Sequence, residues 1–107
     1  MSGLTRLECS EIADEVWVVR FLDHTVAPDV RYPPFVGVCT VVLTAPNCTV
    51  HGMLGQIDRR HLREFVQWLR TWHIDIVWAR RADGHKLPYG VSRGEWTVID
   101  LREVPNG

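Results

Sequence analysis

The chain reads as one α+β domain: a mostly antiparallel sheet of about five to six strands with one main amphipathic helix over residues 58–72. Three observations predict this. Runs of β-branched and aromatic residues, such as Val16 to Leu22 and Phe35 to Thr44, have strand character. A single stretch changes period, with Leu62, Phe65, Val66 and Leu69 recurring at i, i+3, i+4 and i+7. At 107 residues there is enough chain for one core and too little for two, so residues 1–107 form a single domain.

Taken in order, Leu4 to Cys9 forms a short strand and Ser10 to Glu15 a polar turn. Val16 to Leu22 (VWVVRFL) follows as a largely buried strand. Asp23 to Pro34 holds Pro28, Pro33 and Pro34 and has no period, which makes it a loop. Phe35 to Thr44 and Thr49 to Leu54 form a hairpin across Ala45 to Cys48, where Pro and Asn favour a turn. Asp58 is a suitable N-cap for a helix that runs to about Trp72. Ile74 to Arg81 returns to strand character, Ala82 to His85 is a turn, Leu87 to Gly94 is a connection, and Trp96 to Leu101 is the last strand. The order is β-β-β-β-α-β-β. One sheet face lies under the helix, and the other is left open to a partner.

Charge restricts the partners. Twelve basic residues face thirteen acidic ones, so there is no overall basic excess for nucleic acid or a membrane surface. Residues 1–55 carry three basic and six acidic side chains, whereas residues 56–107 carry nine and seven. Any anion-facing surface therefore belongs to the second half. No uncharged apolar run is long enough to span a bilayer, and no secretory signal is visible at the N-terminus. A cytoplasmic protein, or a virion component if phage-encoded, is the expectation.

Candidate chemistry is sparse. Cys9, Cys39 and Cys48 form no C-x-x-C pair, so they read as reduced thiols. Cys39 and Cys48 lie on adjacent strands, though sequence does not establish a bridge. The five histidines have no metal-ligand spacing, so no metal and no cofactor is expected; His51 and His61 lie on neighbouring elements and would be the pair to approach one another. Five tryptophans are a high number for this length. Trp68 and Trp72, one helical turn apart, widen the apolar helix face. Arg63, Arg70, Arg80 and Arg81 lie nearby in sequence, and His85 sits in the turn that follows. Together these seven residues are the candidate partner-binding set, because Trp and Arg are enriched at interfaces.

The hairpin, the Met53-Leu54-Gly55 entry to the helix and the strand IDIVWARR resemble the central and C-terminal part of the GNAT acyltransferase fold, over about residues 35–101. The resemblance implies coenzyme A binding through an Arg/Gln-x-x-Gly-x-Gly/Ala loop whose amides cradle the pyrophosphate. The corresponding stretch here is Gly55-Gln56-Ile57-Asp58-Arg59-Arg60, with one glycine and a carboxylate where the phosphate would sit. The expectation is a degenerate, non-catalytic member of that fold, acting through protein partners or self-association in a larger assembly such as a bacteriophage particle. Two alternatives stand beside it. One is a minimal acyltransferase using acetyl-coenzyme A, with Tyr89 or His51 as acid or base. The other is a single-stranded nucleic-acid-binding domain using Arg63, Trp68, Arg70 and Trp72.

Overall fold

The computed structural model describes residues 7–23, 25, 34–80 and 89–105. Seven strands form one sheet: β1 (Leu7–Ala13), β2 (Val16–Leu22), β3 (Phe35–Thr44), β4 (Asn47–Gly55), β5 (Ile76–Arg80), β6 (Val91–Arg93) and β7 (Trp96–Asp100). The helix α1 (Arg59–Thr71) lies between β4 and β5, and a 3-10 turn, Leu101–Glu103, follows β7. The spatial order is β1-β2-β3-β4-β5-β7-β6. Every neighbouring pair is antiparallel except β4 with β5, which the helical crossover makes parallel. The domain is thus α+β, as the alternation of patterns predicts.

Several boundaries differ from the sequence reading. β1 continues to Ala13, and the turn shrinks to Asp14–Glu15, with Glu15 at a positive φ of 64°. Ser10 to Ala13 is strand because it pairs with β2, Ser10 opposite Val18 and Ala13 opposite Val16, with a bulge between Glu11 and Ala13. The β3–β4 turn is only Ala45–Pro46, and Asn47 and Cys48 already belong to β4. A seventh strand, β6, occupies part of the connection expected at 87–94. Segments 1–6, 26–33 and 81–88 lie outside the described residues, and with them most of the expected loop and the Ala82–His85 turn.

The helix begins as its first residues dictate. The Asp58 carboxylate accepts a hydrogen bond from the His61 amide at 3.0 Å, and the Asp58 amide donates to His61 Nδ1 at 3.2 Å. This reciprocal cap uses a histidine where Glu or Gln is usual. The far ring nitrogen, Nε2, donates to the Leu22 carbonyl at 2.6 Å, so the same imidazole ties the helix start to the end of β2. The helix ends in a Schellman arrangement: the His73 amide donates to Arg70 O and the Ile74 amide to Leu69 O. His73 takes the left-handed position at φ 61°, a place normally held by glycine.

Thirteen residues make a marginal helix in isolation, so packing supplies its stability. His61, Phe65, Val66 and Leu69 are buried against the sheet. Beneath them lie Val19, Phe21, Cys39, Val41, Leu43, Cys48, Val50, Val77, Ala79 and Ile99. Each large apolar side chain so buried contributes about 1.5–3 kcal/mol. Phe21 is fully enclosed, its ring edge-on to Phe65 and His61 at 5.5 and 5.8 Å. The hairpin turn also anchors the far end of the crossover, since Pro46 O accepts from the Asp75 and Ile76 amides at 2.7 and 3.1 Å.

Candidate functional site

Strand alternation divides the sheet into two unlike faces. Odd-numbered residues of β2 and β3 point under the helix, and their even-numbered neighbours point away. On the outward face the registers align Val16, Val42, Thr49, Trp78, Val98 and Val91 into a single row crossing six strands. At a spacing of roughly 4.8 Å between strands the row is about 24 Å long. The first five are half-buried, Val91 is exposed, and no described helix or strand lies over them.

The row has relief. Trp78 and Trp96 stand at one end, edge to face with centroids 6.5 Å apart, and His51 packs edge-on to Trp96 at 5.7 Å. The Trp78 indole is fixed by donating to Asn47 Oδ1 at 3.2 Å. Val16, Val18 and Val42 make the other end low. Two flanking arginines are paired, Arg20 with Glu8 at 3.2 Å and Arg80 with Glu95 at 3.1 Å, and Arg93 stands opposite Trp96 on the edge strand β6. The face is therefore mostly apolar along its middle, with its charges at the margins.

On the helix side two flanks diverge. Trp68 and Trp72 turn toward β2, where Trp17 meets them at 5.6 and 5.5 Å. Arg63 and Arg70 lie on the opposite flank and line a groove of about 390 Å³ with Arg59, Gln67, Tyr89 and the apolar residues Leu62, Val66, Val104 and Pro105. The Arg70 guanidinium is engaged, donating to Leu101 O at 2.7 Å and Val104 O at 2.6 Å. It fastens the C-terminal segment to the helix.

The five candidates among the described residues therefore lie on different surfaces. Trp68 and Trp72 close the edge of the core, Arg63 faces the groove, Arg70 braces it, and Arg80 pairs with Glu95 at the rim of the outward face. Arg81 and His85 lie outside the described residues. The Trp78–Trp96–His51 cluster was not singled out because its members come from β4, β5 and β7, and only the register joins them.

The remaining titratable candidates are dispersed. His51 sits on the outward face, bonded to Thr49 Oγ1 at 3.2 Å, while His61 is buried under the helix, so the sheet separates them. Tyr89 is in the groove on the helix side, away from His51. Cys39 and Cys48 are buried free thiols, both pushed up to about 12 by burial, with neighbouring thiols adding to the effect at Cys39. Among the described residues no three His, Cys, Asp or Glu side chains assemble into a metal site, and no helix is long and apolar enough to cross a membrane.

The helix entry gives Gly55 a role in the backbone. At φ 91° a side chain there would meet Val36 O at 2.1 Å, while the Gln56 amide donates to that oxygen at 3.0 Å. Glycine is required because two strands touch there. Asp58 holds the His61 amide at the helix start. No family model and no curated protein matches the chain.

Proposed function

We propose that the chain is a non-catalytic protein-interaction module that works within a larger assembly, such as a virion, by packing its outward sheet face on a second copy of itself. The observation that carries the reading is the six-strand apolar row with nothing described above it. A contiguous apolar patch of this extent marks an interaction surface, and two sheets pack face to face about 10 Å apart.

Shape and charge favour a second copy. A two-fold axis near Thr49 sets the tall Trp78–Trp96 end of one copy over the low Val16–Val42 end of the other. Arg20 and Arg80 are already paired with Glu8 and Glu95, which limits the like charge that the approach brings together. The same pairing gives the face little attraction for nucleic acid, whose binding depends on basic side chains.

Light scattering over a dilution series tests this. The wild-type chain is expected to gain mass with concentration, and Thr49→Lys, which places two cations near the axis, is expected to stay monomeric while remaining folded. A wild-type chain of single-copy mass at millimolar concentration overturns the reading. Micromolar binding of acetyl-coenzyme A in calorimetry would overturn its non-catalytic part.

A further inference from the structure

We propose that the groove beside α1 binds a small amphipathic anion: a carboxylate or phosphate monoester head carried on an apolar body. The argument starts from an electrostatic mismatch. Arg59 and Arg63 stand one helical turn apart, with their Cβ atoms about 6 Å from each other, and like charges at this spacing repel. Arg59 opens the helix, where the dipole already presents positive potential, and the first turn carries no acidic residue.

Nothing described relieves the mismatch. Neither arginine has a hydrogen bond or ion pair among the described residues, and the groove lining holds no carboxylate. The nearest acids in sequence lie elsewhere: Asp58 caps the His61 amide, and Glu64 follows Arg63 by 100° around the helix, away from Arg59. A local charge arrangement that opposes the fold is the kind of conflict expected at a binding site. Two guanidinium groups one turn apart are suited to sharing one carboxylate or phosphate through paired N–H donors.

The rest of the groove determines what the anion is attached to. Leu62, Val66, Val104 and Pro105 supply apolar wall, and Gln67 and the Tyr89 hydroxyl add neutral polar groups. Tyr89 is held at φ 65°, a strained backbone for a bulky side chain, and the residue is 54% exposed. A volume of about 390 Å³ lies toward the small end of ligand sites, which favours a small molecule over a peptide segment. Arg70 keeps the wall in place through its bonds to Leu101 and Val104, so it acts as a positioning residue.

The test is an amide chemical-shift titration of the folded chain at low salt with octanoate, phenyl phosphate and neutral octanamide. Octanoate or phenyl phosphate is expected to shift the amides of Leu62, Arg63, Val66 and Val104. Arg59→Gln/Arg63→Gln is expected to weaken that binding on the order of tenfold or more. The double variant removes charge from the positive helix end, so its melting temperature should equal or exceed that of wild type. Arg63→Gln alone, compared at equal melting temperature, provides a second variant. The proposal is overturned if neither anion shifts these amides at ~10 mM, if octanamide binds as well as octanoate, or if the arginine variants bind undiminished. Thr49→Lys, which disables the outward face, should leave this titration unchanged, so failure here is distinguishable from failure of self-association.

Discussion

Val41 and Val42 are neighbours in β3, yet one is fully buried beneath the helix and the other half-exposed on the far side of the sheet. The covered face continues from Val41 into Phe21, Cys39, Cys48 and Leu69, a set closed on all sides. The outward face continues from Val42 into Thr49, Trp78 and Val98, with no described helix or strand above it. Both are largely apolar, and the difference lies in whether the described residues supply the cover. Stability should reside on the first face and association on the second.

The largest test of that division compares two residues of β2. Phe21→Ala removes a fully enclosed ring beneath Phe65 and His61 and should cost about 3–5 kcal/mol in urea unfolding. Val18→Ala, half-exposed on the other face, should cost under about 1 kcal/mol. Comparable losses would erase the distinction. Gly55→Ala should follow at about 3 kcal/mol, since both the positive φ and the Val36 carbonyl oppose a side chain.

Alkaline pH probes the covered face through its thiols. Cys39 and Cys48 titrate near 12 when folded, against an ordinary thiol value of 9.0. A raised folded pKa means that the stability is fully present below about pH 9 and is lost as pH rises from there toward 12. The slope should be about 1.4 kcal/mol per pH unit for each thiol. Denaturant midpoints between pH 9 and 10.5 should fall for wild type and fall less steeply for Cys39→Ala/Cys48→Ala. The smallest effect belongs to the helix end: His73→Gly relieves a left-handed residue and should stabilise the fold by about 0.5–1 kcal/mol.

How much of this was legible depends on the length scale of each signal. The helix from its Asp58 cap to Trp72 could be read because four apolar residues repeat over several turns. The β3–β4 hairpin could be read because two long β-branched runs flank a proline turn. β6 could not, since Val91–Arg93 is three exposed residues whose only reason to be a strand is the free edge of β7. Ser10 to Ala13 looked like a turn because it is polar, and partnering by β2 decides it. Gly55 was read against a phosphate loop, whereas Val36 on another strand explains it.

The candidate site was less legible for the same reason. Tryptophan and arginine were selected by their closeness in sequence, but the helix sends Trp68 and Trp72 to Trp17 on one flank and Arg63 to Tyr89 and Val104 on the other. The outward row exists only once six strands are in register.

The most direct measurement places one aspartate on each side of β3. Val41→Asp and Val42→Asp are compared by thermal unfolding and by mass in light scattering. Val41→Asp should fail to hold a cooperative fold, whereas Val42→Asp should melt close to wild type and remain a single copy where wild type associates. A Val42→Asp chain that unfolds like Val41→Asp, or that still associates, would contradict the assignment of stability to one face and recognition to the other.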